Sequence, residues 1–351
     1  MALKKTKVNE ELQLALPTIM EAAGAAASIA AAKHRFAEYR SRLSAHTVRR
    51  HNADLALFAE FLYTVQVRRI GDLAHDPAAW TGVTWGLVEA FVKWQLQEGY
   101  AVSSVNVRLS TIKTYAKLAF QAGILPAEEF ALIHSVSGYS QREKRRIDAK
   151  RSTTRVGLKK EKSVTLTAAQ MEALMRQPLD TAQGSRDALL LALLLGNGLR
   201  AGELALLTIE NINPMDGLLS FYRPKVGKSQ THRLSEYALE AFSVYSRFLR
   251  KEPPTSPLFR GIRKGGKKVS QKGLSTRGIS LRVEKLGAEI GVGGLSAHDL
   301  RHTWATSAAR AGTDPFKLQQ AGGWSSLAMP RRYVEDAEIA NEGVQLKKKE
   351  T

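Results

Sequence analysis

Leu295–Gly312 reads LSAHDLRHTWATSAARAG, and Leu318–Tyr333 reads LQQAGGWSSLAMPRRY. Ser296 followed three residues later by Asp299 is the pattern of a helix-capping box, so a helix is expected over Ala297–Ala311. His298 and Arg301 lie three apart and therefore share one face of that helix. The first turn of a helix points unpaired backbone N–H groups outward, which favours a phosphate there. The Arg301 guanidinium adds a planar fork that matches two phosphate oxygens. The second stretch reads as a helix over Pro315–Ala321, a glycine pair, Trp324, and a last sizeable element beginning near Ser326 that carries Tyr333.

Two earlier segments have the same character. GNGLRAGELALL (Gly196–Leu207) follows an apolar helix expected over Ser185–Gly196. Gly198 permits a tight turn, Arg200 opens the next helix, and Glu203 stands three residues on to orient Arg200. Arg200 and Arg301 can then clamp one phosphate from two sides. In RPKVGKSQTHRLS (Arg223–Ser235), strands expected over Leu218–Arg223 and Thr231–Leu234 flank VGKSQ, presenting Lys225 and its rival Lys228 on a hairpin. Further helices are expected at Ser235–Arg250 and Ser275–Gly287.

In this order, the four segments resemble the tyrosine recombinase, or phage integrase, family. Its members carry an Arg in a G-L-R-x-x-E-L turn, here Arg200 with Glu203, and a Lys on a β-hairpin, here Lys225. The H-x-L-R-H-T motif is His298 to Thr303, and a His or Trp after a loop glycine is Trp324. The nucleophilic Tyr follows nine residues later, which gives Tyr333. The resemblance spans about residues 40–335, more weakly before the linker. It implies a mainly α protein: a helical core-binding (SAM-like) domain, then an α+β catalytic domain of the DNA breaking-rejoining type, mostly helical with a small antiparallel sheet. It also implies a site-specific recombinase that joins Tyr333 to a 3′ phosphate. Arg200, Arg301 and Trp324 would stabilise the phosphate oxygens, Lys225 would protonate the leaving oxygen, and His298 would assist proton transfer or bind the phosphate. Glu203 and His302 support. Many members have His where this chain has Trp324, whose indole N–H donates a hydrogen bond but does no acid–base work.

Each residue also has a plainer reading. Arg200 paired only with Glu203, Lys225 as a surface lysine, His298 as a helix-start residue, and Trp324 and Tyr333 as packing aromatics remain alternatives. No cofactor is expected, and His298, His302 and the nearby acids lack the spacing of a metal site.

The rest of the chain agrees with a polyanionic partner. Among 351 residues, 52 Lys and Arg against 33 Asp and Glu give a formal charge of +19. No Cys is present, which excludes disulfides, thiolate nucleophiles and Cys-based zinc fingers. Glu10, Glu11 and Glu21 interrupt any signal-peptide core, and the Ala22–Ala32 run is too short to span a bilayer. A soluble, cytoplasmic protein without membrane contact is therefore expected, and the resemblance implies that it is bacterial or phage-encoded.

The expected organisation is an accessory helical segment at 1–33 and a helical core-binding domain at 34–137. A basic linker at 138–165, a catalytic domain at 166–338 and a basic tail at 339–351 follow. Ser44 and Thr84 are expected helix caps, with Val48, His51, Leu55, Phe58 and Leu62 as one buried stripe. Leu87, Val88, Phe91 and Trp94 line the next helix. Ser103 or Ser104 is expected to start another with Val107, Ile112, Tyr115 and Leu118 inward, ended by Gly123 and Pro126. Gln141–Lys162 holds ten Lys or Arg against three acids and almost no apolar period, so it reads as a linker lying against phosphate. Expected DNA contacts are Arg49, Arg50, Arg108, Lys113 and Lys117 in the first domain, and Lys144, Arg145, Arg146, Lys150, Arg151, Lys159 and Lys160 in the linker. Arg263, Lys264, Lys267 and Lys268 of the RKGGKK stretch complete the set.

The resemblance implies a partner in double-stranded DNA carrying an inverted-repeat target, bound by a tetramer holding two duplexes, with or without accessory proteins. A type IB topoisomerase-like relaxing enzyme and a catalytically inactive DNA-binding protein on the same fold are the alternative functions. If the linker charges meet phosphates, replacing Lys144, Arg145 and Arg146 together with Ala flattens the dependence of log affinity on log salt. The slope falls by about 0.9 per lost phosphate contact, and unrelated duplexes weaken alike. Titrations at several salt concentrations check this, and an unchanged slope would place these residues away from DNA.

Overall fold

The computed structural model describes residues 19–150, 163–262 and 269–335. The chain divides into two compact units, Met1–Lys159 and Lys160–Thr351.

The first unit is all helical among its described residues. It comprises α1 (Ile19–Lys33), α2 (Arg35–Ser41), α3 (Ala45–Thr64), a 3-10 turn (Pro77–Trp80), α4 (Trp85–Gln97), α5 (Val102–Gln121), α6 (Ala127–Ser135) and α7 (Gln141–Lys150). Ser44 caps α3 and Thr84 caps α4 through their side-chain oxygens, as expected. The aromatic residues Phe58, Phe61, Trp80, Phe91 and Tyr115 pack on one another at the centre of the bundle.

Three local expectations are corrected. Neither Ser103 nor Ser104 caps α5. Its N-cap is Ala101, and the carboxylate of Asp148 on α7 accepts the Val102 N–H at 3.1 Å instead. An anion from elsewhere in the fold thus does the cap's work at the positive end of the helix dipole. Val107 is exposed, because the buried stripe of α5 runs Val102, Val105, Leu109, Ile112, Ala116 and Ala119. The stretch read as a linker begins as helix α7, its first turn closed by Ser140 and Glu143. α1 is largely exposed, including Ile19, Met20 and Ile29.

The second unit contains α8 (Ala168–Met175), α9 (Ala182–Leu195), α10 (Ala201–Leu204), β1 (Ile212–Asn213), β2 (Leu218–Arg223) and β3 (Lys228–Arg233). After these come α11 (Glu236–Arg247), β4 (Arg260–Ile262), β5 (Val269–Gly273), α12 (Thr276–Glu289), α13 (Ala297–Arg310), α14 (Pro315–Gly322) and α15 (Ala328–Glu335). The strands form an antiparallel sheet in the order β1-β2-β3 and a separate β4-β5 hairpin. β3 starts at Lys228, earlier than expected, because it pairs along the whole of β2 from Leu218↔Arg233 to Arg223↔Lys228. The short β1, β4 and β5 carry no periodicity that sequence reading could use.

α9 is the centre of this unit. Residues Ala188 to Leu194 are buried on every side, and the helix packs against α8, α11 and α13. A helix apolar all round requires neighbours all round, and this fixes where its C-terminal turn, Gly196–Leu199, emerges. α13 starts with the expected capping box, Ser296 and Asp299 bonding each other's backbone N–H groups. α13, α14 and α15 enclose a small separate core of Ala305, Ala309, Leu318 and Tyr333, flanked by Trp304 and Trp324.

Candidate active site

Gly198 adopts φ +63°, and a Cβ there would come within 2.2 Å of the Trp304 ring. Only glycine makes this turn so close to an indole. The turn delivers Arg200 to the start of α10. Glu203 accepts the Arg200 backbone N–H at 2.8 Å and its Nη1 at 2.7 Å. The other arm, Nη2, reaches the Gly323 carbonyl at 3.2 Å. Arg200 is thus paired with Glu203 and also extends beyond it.

Arg301 approaches from α13 and is only 3% exposed. Its two terminal nitrogens donate to the carbonyls of Gly198 and Gly322. Its guanidinium lies 4.4 Å over the Trp324 ring. Burial first, and the nearby Arg200 charge second, press its pKa down to about 9. It remains protonated at neutral pH as a cation under stress, which an incoming anion would relieve. Among the described residues, these two carbonyls engage two of its five N–H groups.

The Gly322–Gly323 segment is where the two arginines meet. Gly323 is left-handed at φ +60°, and a Cβ on Gly322 would collide with the Trp324 ring. Trp324 stacks on Trp304 at 6.1 Å and tilts against Tyr333 at 5.9 Å. Tyr333, on α15, is 5% exposed, and the edge of its ring system also meets His302 at 5.1 Å. The His302 Nδ1 is near the hydroxyls of Thr165 and Thr306. His298 is exposed in the first turn of α13. Lys225 is exposed in the four-residue turn between β2 and β3, while Lys228 is the first residue of β3. Arg200, Arg301, Trp324 and Tyr333 are therefore brought together, with Lys225 on an adjoining hairpin.

Two participants escaped the sequence reading. Trp304 forms the stack beneath Trp324. Arg223, the last residue of β2, is fully buried and donates Nη1 to both Glu203 oxygens at 3.0 and 2.9 Å. Residue type does not mark Arg223, since a strand-end arginine normally faces water. Its alternation with the buried Leu219 and Phe221 is the one available hint.

Family models match both units. The model described as the phage integrase family covers residues 164–339, and that of the phage integrase N-terminal SAM-like domain covers 35–123. The chain belongs to the phage integrase family. This makes it an enzyme of the tyrosine-recombinase type, which cleaves and rejoins DNA through a phosphotyrosine link. Among its relatives, tyrosine recombinase XerD of Xanthomonas axonopodis pv. citri is 27% identical over 70% of this chain and 75% of its own. Tyrosine recombinase XerC of Roseiflexus castenholzii is 28% identical over 83% of each chain. In fold, this integrase resembles a lambda integrase dimer bound to a COC' core site, with TM-score 0.58 and 16% identity over 93% of this chain and 79% of that one. It also resembles the Tn1549 transposon integrase in complex with transposon right end DNA, with TM-score 0.57 and 16% identity over 87% and 96%.

The basic residues of the chain divide by what they touch. Arg49 and Lys117 are exposed on α3 and α5. Arg50 bonds Asp54 and Thr111 at 3.2 Å each. Arg108 donates to Gln95 at 3.1 Å and covers the Tyr100 ring, and Lys113 donates to the His134 carbonyl at 2.7 Å. Arg50, Arg108 and Lys113 thus brace the bundle. On α7, Arg145, Arg146 and Lys150 are exposed and Lys144 is partly so. Arg151, Lys159, Lys160, Arg263, Lys264, Lys267 and Lys268, with the basic tail and residues 1–18, lie outside the described residues. Among the described residues, no group of His, Asp and Glu could hold a metal ion, and no helix is long and apolar enough to cross a membrane.

A cavity of about 770 Å³ is lined by Trp304 and, along β3 and α14, by Lys228, Gln230, His232, Arg233 and Lys317. None of Arg200, Lys225, His298, Arg301 or Tyr333 lines it. His232 packs edge-on against Phe221 at 5.1 Å. Burial first, then Arg223, lower its pKa to about 4, with Glu203 opposing and Arg301 adding to the shift. In the unfolded chain the same imidazole takes up its proton near pH 6.5. Between about pH 4 and 6.5 the unfolded state therefore binds more protons, and this contribution to stability is lost as pH falls through that window. Urea unfolding measured from pH 7 to pH 4 should show the decline, and His232→Gln should make it shallower.

Proposed function

We propose that Tyr333 is the nucleophile of a site-specific DNA recombinase. The observation that carries this reading is the convergence of Arg200 and Arg301 on the Gly322–Gly323 backbone, beside a Trp324 ring against which Tyr333 packs. In the first step the Tyr333 oxygen bonds to phosphorus and the bond from phosphorus to the 5′ oxygen breaks. A 3′-phosphotyrosine and a 5′-hydroxyl result. His298 assists removal of the Tyr333 proton or binds the phosphate, and Lys225 gives a proton to the departing oxygen. Arg200, Arg301 and the Trp324 N–H neutralise the phosphate oxygens as charge builds, a role in which fixed donors contribute most. Glu203 orients Arg200, and His302 supports the Tyr333 ring. A 5′-hydroxyl from a partner strand reverses the step. The covalent link retains the bond energy, so neither ATP nor a metal is required.

Tyr333 is 5% exposed, and the step requires its hydroxyl to meet the phosphate. The substrate is double-stranded DNA with an inverted-repeat target, held as two duplexes by a tetramer. Accessory proteins and docking of the tail after Tyr333 on a neighbouring subunit fit the same scheme.

A nicked suicide substrate, whose freed fragment diffuses away, should trap the protein on DNA as a band that survives denaturation. Tyr333→Phe should bind the same DNA and give no band, and Arg301→Ala should slow trapping by about 10²- to 10³-fold. Peptide mapping should find the nucleotide on PRRYVED. An adduct on Tyr222, Tyr237 or Tyr245, or one undiminished in Tyr333→Phe, would sink the assignment. Relaxation of plasmid without any target would favour the topoisomerase alternative.

Lys225→Ala should cleave slowly yet recover on a substrate with a 5′-bridging sulfur, which leaves without protonation. Recovery of Lys228→Ala instead would move the acid to that lysine.

A further inference from the structure

We propose that Arg223 is a positioning residue for the phosphate clamp: it holds the Glu203 carboxylate and the end of α14 so that Arg200 keeps a guanidinium arm for the scissile phosphate. The proposal rests on the Tyr333 reading above and adds to it a residue that does not itself touch DNA.

Glu203 is 4% exposed and has two cations to share, Arg200 and Arg223. Arg223 Nη1 approaches both carboxylate oxygens, while the Arg200 side chain reaches Oε1 alone. Without Arg223, Arg200 would be the one guanidinium left on a buried carboxylate. Carboxylates favour the two-armed arginine fork, and the Arg200 Nη2 would swing from Gly323 onto Glu203. Nη2 carries two N–H groups, one of them on the Gly323 carbonyl, and both would then be turned toward the carboxylate.

Arg223 also fixes the other wall of the clamp. The last four carbonyls of a helix have no partner within it. At the end of α14, Arg223 supplies donors to Ala321 at 2.7 Å and Gly322 at 3.2 Å, and Gln230 supplies one to Gln320 at 2.7 Å. The Arg223 Nε in turn donates to Gln230. A Cβ on Gly323 would stand 2.5 Å from the Arg223 Cδ, so the backbone folds closely around this side chain. This same segment accepts from Arg200 and Arg301 and leads into Trp324. One buried guanidinium therefore sets the placement of Arg200, through Glu203, and of the backbone that Arg301 grips.

The test compares cleavage of a nicked duplex carrying an ordinary scissile phosphate with one carrying a methylphosphonate, whose methyl group replaces a non-bridging oxygen. The neutral linkage needs little charge stabilisation. Arg223→Met should slow adduct formation on the phosphate by about 10²-fold, comparable with loss of one fixed donor, with duplex affinity near that of the unchanged protein. On the methylphosphonate the deficit should shrink by about tenfold or more. Adding Glu203→Gln removes the carboxylate that competes for Arg200, and the double variant should react faster than Arg223→Met alone. Arg223→Lys, which keeps the charge but not the fork, should fall between Met and Arg, and it serves in place of Arg223→Met if that variant does not fold. Equal deficits on the two linkages would mean a merely structural role, and a double variant slower than the single one would remove the competition argument; either overturns the proposal. If the unchanged protein forms no adduct at Tyr333, the nucleophile assignment fails and this proposal falls with it.

Discussion

Three arginines gathered around one carboxylate constrain everything else in the catalytic unit. Arg200, Arg223 and Arg301 with Glu203 leave a net charge of +2, three positive and one negative, among side chains that are mostly buried. Cations taken out of water are costly unless fully hydrogen-bonded. The fold meets that cost with backbone: the carbonyls of Gly198, Ala321, Gly322 and Gly323 all point at guanidinium nitrogens. Indole and phenyl faces cover what remains, Trp324 beneath Arg301 and Phe221 beneath Arg223. The result is a fixed positive field held by backbone carbonyls and ring faces. Such preorganisation is what lets electrostatics lower a barrier without reorganising the protein during reaction.

The scaffold follows from the need to bring those carbonyls together. α9 is buried on all sides, so its exit turn has one position, and Gly198 allows that turn to lie flat on Trp304. α13 begins at a capping box that fixes the direction of Arg301. The glycine pair before Trp324 lets the chain pass between an indole and the Arg223 side chain, which no other residue type could do at φ +60°. Tyr333 then sits in a small core of its own, held by fewer apolar neighbours than the main one. An element so lightly packed is suited to movement.

The helical unit has a different economy of charge. Arg50 and Arg108 gather around the buried Asp54 with Thr111, and Asp148 caps α5 from a distance. Some of its basic residues therefore hold helices together, while Arg49, Lys117, Arg145 and Arg146 remain exposed. Counting charges along the chain does not separate these two uses. The difference lies in whether a carboxylate or carbonyl is within reach.

The sequence by itself determined the helices that carry the motifs, their caps at Ser44, Thr84 and Ser296, and the glycine turns beside Arg200 and Trp324. These depend on neighbours three or four residues away, and local pattern records such neighbours faithfully. The order and spacing of four segments also carried the family and its fold. Only the tertiary structure decided that Arg223 bonds Glu203 and the end of α14, that Asp148 and not a serine caps α5, and that Trp304 underlies Trp324. Only there does Arg108 turn inward. Each of those depends on a partner far along the chain, from 13 residues between Arg108 and Gln95 to 99 between Arg223 and Gly322. No periodicity within a segment encodes a contact whose other half arrives only after the chain has packed.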